Sequence, residues 1–313
     1  MDISELQKLA QHTRFMRETG MALLIGSAVL GLFIFVPFGP KQTTATTVVA
    51  STTPDAYTKV TIEAKAGIVY DLTTKKILYA KNSDAQLPLA SLTKLLTVYA
   101  ALAKLAPSTE IVIPAEVTTL DLPRAFNEDQ VFTLSDLARL TLTASLNDGA
   151  AAIATATAAF EESSQRQMLA SAAAALDLTQ TYAVNGSGLD ESTALSGGYG
   201  SARDLAVLAG ALVAQAPRIA LATTEATASA VSLGGTEYTV NNTDPIIDTI
   251  PGLMLSKTGF TDLAGGNLAL VFDAGIGHPI AVVVLGSSQK SRFTDGYALV
   301  SATLEHFGAN ESL

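Results

Sequence analysis

Ser91-Leu92-Thr93-Lys94 places a hydroxyl and an amine three residues apart at the start of an apolar run. Leu92, Leu95, Leu96, Tyr99, Leu102 and Leu105 recur at helical spacing, Pro107 ends the run, and Pro88 upstream fits an extended approach. Residues three apart share a helix face, so the two side chains can meet. The opening of a helix, with unpaired N–H groups and the positive end of the dipole, favours a developing negative charge. Such a pair can run nucleophilic catalysis without histidine, the amine taking the proton of the attacking hydroxyl. The same four residues also describe a helix cap followed by a solvated lysine. A chain of this length holds about one such pair by chance, and Ser287-Ser288-Gln289-Lys290 is a second. Company singles out Ser91: Ser145-Leu146-Asn147 and then Lys257-Thr258-Gly259 follow in order.

Composition narrows the chemistry further. The net charge of −10 lies wholly in residues 41–313, which carry 16 basic and 26 acidic residues, a poor match for nucleic acid. With no cysteine there is no disulfide, thiolate nucleophile or Cys-ligated metal, and three histidines (His12, His278, His306) argue against a histidine triad or a His-rich metal site. No metal and no cofactor is expected.

The elements that must position these residues read as follows. Residues 1–20 form a cytoplasmic N-terminus, and the uncharged segment 21–38 is long enough to cross a bilayer as a single anchor. Lys8, Arg14 and Arg17 precede it while only Lys41 follows closely, which places the rest of the chain outside the cytoplasm, at the cell membrane. A cleaved signal peptide fits less well, because the leader is long and a small-residue cleavage site is distant. Residues 39–60, rich in Thr and Ala, are a linker, and the folded domain is expected over 61–313. A hairpin is predicted from Ala66–Asp71 and Lys76–Ala80, short strands at Glu110–Ile113 and around Val131, and helices from Ser135 to Ala144, over 150–160 and over 164–176. Residues 183–200 read as a Gly- and Ser-rich loop, and Ser201 as the cap of a helix to about Ala214. Strands follow at 228–233, 237–240, 253–258, 267–273 and 280–285, then a closing helix over 292–307. Strands at both ends around a helical middle imply one sheet built from both termini, an α+β fold.

The three motifs in this order are marks of penicillin-binding proteins and class A β-lactamases. Beyond them, Ala90–Lys94 with its Leu-Leu-Thr continuation, Ser145–Gly149, Gly186-Ser187-Gly188-Leu189-Asp190 and Lys257–Thr261 with Ala264-Gly265 resemble the serine D-Ala-D-Ala carboxypeptidases of peptidase family S11, the low-molecular-mass penicillin-binding proteins. The resemblance covers about residues 62–305. It implies a β-lactamase/transpeptidase-like fold, an antiparallel sheet flanked by helices with a helical subdomain, and a site at their junction. It implies peptidoglycan stem peptides as substrate and β-lactams as covalent inhibitors. Ser91 would attack the carbonyl between two D-alanines, and Lys94 would take its proton, which needs an amine made neutral by burial and by Lys257 as a second cation. Ser145, facing the cleft with Asn147 from an extended turn, would relay the proton to the leaving amine. Asn147 would hold Lys94 or the substrate amide, Lys257 and Thr258 the terminal carboxylate. Gly259 would leave room for the substrate backbone. The N–H groups of Ser91 and Phe260 would form the oxyanion hole.

Asp190 and Glu191 read as loop carboxylates, and Tyr199 and Phe260 as wall or core. The same residues would serve an endopeptidase that cuts peptidoglycan cross-links. A serine β-lactamase is the other enzymatic alternative, although no Glu-x-x-Leu-Asn-like segment follows Ser145. A wall-binding protein with a silent site is the non-enzymatic one.

Overall fold

The structure, a computed structural model, describes residues 56–311 together with Thr13, Met16, Arg17 and Met21, which are helical. Residues 53–313 form one compact unit and residues 1–52 a second. Apart from Met21, the apolar segment 21–38 lies outside the described residues, and no described helix is long and apolar enough to cross a membrane.

In the larger unit β1 (Ala66–Asp71) and β2 (Ile77–Lys81) make the expected hairpin. β3 (Leu87–Pro88) leads through a 3₁₀ turn at Ala90–Leu92 into α1 (Thr93–Lys104). β4 (Glu110–Val112) pairs with β5 (Val131–Thr133), and α2 (Leu134–Ala144), α3 (Asn147–Phe160) and α4 (Gln165–Ala175) follow. β6 (Tyr182–Ala183) and β7 (Gly198–Gly200) precede α5 (Ala202–Gln215) and α6 (Pro217–Ala222). A hairpin of β8 (Thr227–Val231) and β9 (Glu237–Asn241) comes next, then the long strands β10 (Leu253–Thr261), β11 (Gly265–Asp273) and β12 (Pro279–Ser287), and α7 (Ser291–Glu311).

The main sheet has the order β10-β11-β12-β1-β2, antiparallel throughout, so both ends of the domain do meet in one sheet. Alternation along its strands feeds two cores. Leu268, Leu270, Phe272, Ile280, Val282 and Val284 face α7, with Tyr57, Ile62, Leu299 and Val300 packed among them. The intervening Ala269, Val271, Ala281, Val283 and Leu285 face α5 and the helical block. Small residues on that second face let helices approach closely. β12, buried on both faces, is accordingly an almost unbroken apolar run.

Some expectations shift. Tyr57 is buried and donates to Thr303 Oγ1 (3.0 Å), so the folded unit begins before residue 61; one anchoring tyrosine leaves no periodicity in a Thr-rich stretch. The helix expected from Ser135 begins at Leu134, capped by Thr133, whose side chain accepts from the Asp136 N–H. The loop over 183–200 has short strands at both of its ends. The brief α6, opened by Pro217, was too short to show a period.

The buried carboxylate of Asp295, in the first turns of α7, ties the domain's two ends together. It accepts from the N–H groups of Glu63 and Ala64, at 2.9 Å each, and from Ser287 Oγ at 2.7 Å. Asp295→Ala strands these donors and is expected to lower stability by about 3 kcal/mol, read as a lower urea midpoint, with Asp295→Asn losing less.

Candidate active site

Ser91 sits in the 3₁₀ turn ahead of α1 rather than in α1 itself, behind Ala90, whose φ of 48° is a left-handed conformation costly for a residue with a Cβ. The turn is held from two sides. Gly188, at φ 77°, lies so close that a Cβ there would come within 2.0 Å of Ala90 O. On the other side a Cβ on Gly259 would reach 3.0 Å from Leu89 O and 3.3 Å from Ser91 N. The missing Cβ of Gly259 thus also lets β10 lie close against the turn that carries Ser91.

One helical turn on, the fully buried Lys94 Nζ lies 2.8 Å from Ser91 Oγ. It donates to Asn147 Oδ1 and to Ser187 O, both at 2.7 Å. Asn147 Nδ2 donates to Asp121 O (2.9 Å) and its backbone N–H to Pro123 O (2.7 Å), which fixes the amide so that its oxygen faces Lys94. Two of the three partners of Lys94 are therefore carbonyl oxygens that only accept. A neutral amine has two N–H bonds and one lone pair. The carbonyls take both N–H bonds and leave the lone pair for the Ser91 hydroxyl. Burial brings the Lys94 pKa down to about 7, against the opposing charge of Asp148. Burial, rather than a second cation, is thus the lowering cause at Lys94. Asp148 is itself held by the N–H groups of Ala125 and Phe126, at 2.7 and 2.8 Å.

Ser145 and Asn147 flank the break between α2 and α3, but not in an extended turn. Ser145 closes α2 in the left-handed region at φ 61°, Leu146 alone is extended, and Asn147 opens α3. After the reversal Asn147 meets Lys94 and Ser145 meets Lys257. Ser145 Oγ accepts from Lys257 Nζ at 2.8 Å, and Lys257 also donates to Thr258 O at 2.7 Å. Lys257, on β10, is pushed well below the usual lysine range by burial, then by the charges of Lys94 and Arg292, with Asp244 opposing. Thr258 pairs its hydroxyl with that of Thr243 (2.6 Å). Phe260 is 42% exposed, wall rather than core.

The site residues expected from sequence thus form two bonded groups, Ser91–Lys94–Asn147 and Ser145–Lys257, joined through the α2–α3 break and the packing of β10 on the nucleophile turn. Several neighbours have no role readable from sequence: the Ser187 carbonyl and Asp148, although both lie in stretches that carry the resemblance, then Asp244, Asn267, which donates to Pro88 O, and Arg292, which donates to Gly259 O at 2.7 Å. The loop carboxylates Asp190 and Glu191 join Glu116 and Asp121 in the wall of a cavity of about 570 Å³ that Ser187 also lines. Among the described residues no cluster of His, Cys, Asp or Glu could hold a metal.

An activated serine at the junction of an antiparallel sheet and a helical block defines the penicillin-binding, transpeptidase-like class of α+β proteins. Residues 49–289 match the D-alanyl-D-alanine carboxypeptidase family, peptidase family S11, and the chain belongs to it. It is 29% identical over 248 residues to D-alanyl-D-alanine carboxypeptidase DacF of Bacillus subtilis, the match covering 74% of this chain and 59% of that protein. It is 31% identical over 266 residues to a D-alanyl-D-alanine endopeptidase of Pseudomonas aeruginosa, covering 82% of each. Ampicillin-bound penicillin-binding protein D2 of Listeria monocytogenes superposes with a TM-score of 0.65 at 25% identity, covering 78% of this chain and 98% of that one.

A base that must be neutral sets the sign of the pH dependence. Lys94 is unprotonated above its pKa, so Ser91 acylation by a fluorescent penicillin is expected to be fast in alkali and to fall as pH drops through about 7. A rate flat from pH 5 to 9 would remove Lys94 from the role of base.

Proposed function

We propose that the domain removes the terminal D-alanine from peptidoglycan stem peptides ending in D-Ala-D-Ala, through an acyl-enzyme on Ser91. The observation that carries this reading is the Lys94 amine, held by two carbonyl acceptors with its remaining position on Ser91 Oγ. Ser91 Oγ bonds to the carbonyl carbon of the penultimate D-alanine as its proton passes to Lys94 Nζ. The carbonyl oxygen takes the negative charge and meets the N–H groups of Ser91 and Phe260; the packing of Gly259 against Ser91 N supports that pairing. The C–N bond then breaks. The leaving nitrogen takes up, through the Ser145 hydroxyl that Lys257 holds, the proton that Lys94 carries; Lys94 is neutral again and free D-alanine departs. Lys257 and Thr258 hold the substrate's terminal carboxylate. Water, deprotonated at Lys94, hydrolyses the ester and restores Ser91.

β-Lactams, which present a carboxylate beside a strained amide, are read as inhibitors that acylate the same hydroxyl; the ampicillin-bound Listeria relative supports this. The apolar segment 21–38, with Lys8, Arg14 and Arg17 before it, supports a single-pass anchor that places the domain on the outer side of the cell membrane. Cleavage of cross-links is a second reading, favoured by the Pseudomonas relative named as an endopeptidase and covered over 82% of its length.

Incubation with a muropeptide pentapeptide, followed by mass spectrometry, is expected to show loss of one D-alanine. A cross-linked dimer converted to monomers would mark the second reading. Ser91→Ala is expected to abolish both D-alanine release and penicillin labelling, a drop of about 10³-fold or more, while circular dichroism stays unchanged. Retained labelling would reassign the nucleophile.

A further inference from the structure

The Ser187 carbonyl is one of the two acceptors that leave the Lys94 lone pair for Ser91, and it belongs to a loop laid along the start of α1. Gly186 O accepts from Thr97 Oγ1 and Ser187 O from Lys94 Nζ, at 2.7 Å each, while Gly188 packs against Ala90 O. Thr97 and Lys94 are three residues apart and share a helix face, so consecutive loop carbonyls meet consecutive turns of α1. A carbonyl is held on a buried amine only if its own peptide unit is held from the other side.

Asn185, half-buried at the head of this loop, supplies that hold. Its Oδ1 accepts from the Gly188 N–H at 2.8 Å, from Ser187 Oγ at 3.0 Å and from the Ser187 N–H at 3.2 Å. Its Nδ2 donates to Leu189 O at 3.0 Å and to Glu191 Oε1 at 2.6 Å. Three donors on one side and two acceptors on the other fix which way the amide points. The Gly188 N–H and the Ser187 C=O are two ends of one planar peptide unit and point in opposite directions. Drawing the N–H to Asn185 therefore turns the C=O to Lys94. Glu191, a loop carboxylate by sequence, anchors the far side of the same amide.

We propose that Asn185 is a positioning residue that acts through the 187–188 peptide, keeping the Ser187 carbonyl on Lys94 and so the lone pair of Lys94 on Ser91. In its effect on turnover this rests on the carboxypeptidase reading; in its hold on Lys94 it does not.

The test compares the full chain with Asn185→Ala, both carrying ¹³C-labelled lysine, the Lys94 signal being identified by its loss in Lys94→Arg. A carbonyl that accepts from an ammonium favours the charged form, so its withdrawal is expected to lower the Lys94 ¹³Cε titration midpoint by about half a pH unit. Acylation by a fluorescent penicillin is expected to slow about tenfold well above neutral pH, with its acid limb moved down by the same interval. With a D-Ala-D-Ala substrate kcat is expected to fall in step while KM stays within about twofold. An unmoved Lys94 midpoint overturns the proposal, as does a rise in KM at constant kcat. A lowered midpoint in a protein whose unmodified form releases no D-alanine sustains the hold on Lys94 and removes the carboxypeptidase reading instead. Should Asn185→Ala not fold, an exchange of donor and acceptor decides. Asn185→Asp keeps the three bonds at Oδ1 but sets a carboxylate oxygen against Glu191, and adding Glu191→Gln restores a donor there. Acylation is expected to slow about tenfold in the single variant and to return to within about threefold of the unmodified rate in the double. An unslowed single variant, or a double variant no faster than the single, overturns the proposal.

Discussion

Everything near Ser91 follows from one buried amine. Lys94 has no access to water, so each of its hydrogen-bonding positions must be met by protein. They are met by groups from three separate parts of the chain: Ser91 in the preceding turn, Asn147 at the head of α3, and Ser187 in the loop before β7. A buried ammonium would be expensive, and the protein meets that expense by letting the group become neutral, which is also the form a base requires. Burial and basicity are here one property.

The cost of assembling this arrangement is visible in the backbone. Ala90 and Ser145 both hold positive φ values, of 48° and 61°, and both stand beside residues that touch the reacting groups. Neither is glycine, so each gives up about 1 kcal/mol or more, Ala90 to place Ser91 and Ser145 to turn the chain from α2 into α3. The surrounding packing supports the distortion. Gly188 and Gly259 have no Cβ because the nucleophile turn occupies that volume. The fully buried Asp148 clamps the 125–126 segment to α3, keeping the carbonyl partners of Asn147 in register.

Much of this was legible in the order of residues. The three motifs singled out Ser91, Lys94, Ser145, Asn147 and Lys257, which the structure brings into two bonded groups, and strands at both ends of the domain announced one sheet built from both termini. What stayed hidden has a common physical character. The Ser187 carbonyl is a backbone group, which no residue type encodes. Asp148, Asp244 and Arg292 act through charge across space, from positions with no fixed spacing to Ser91 or Lys257. The left-handed Ser145 could not be foreseen either, since serine carries no preference for that region; only the close succession of two helices demands it. The missing Cβ of Gly259 was noticed, but its direction depends on which face of β10 meets the turn at residue 91, and that is a tertiary fact.

The topology decides how these parts come together. β12 lies between β1, from the start of the domain, and β11, while β10 with Lys257 forms the outer edge. The pairing of β12 with β1 is what joins the C-terminal strands, β10 among them, to the N-terminal hairpin. The helical block brings Asn147 and Ser145 independently, through local contacts of α1 with α2 and α3. The Lys94 end of the site is thus organised by short-range helix packing and the Lys257 strand by the longest-range pairing in the sheet. Long-range pairing bears the larger loop-closure cost, so of the two halves the strand side depends more on ties between the ends of the domain. Arg292 supplies one such tie at the site itself: it leaves α7 and donates to the Gly259 carbonyl, fastening the closing helix to the strand segment that rests against Ser91.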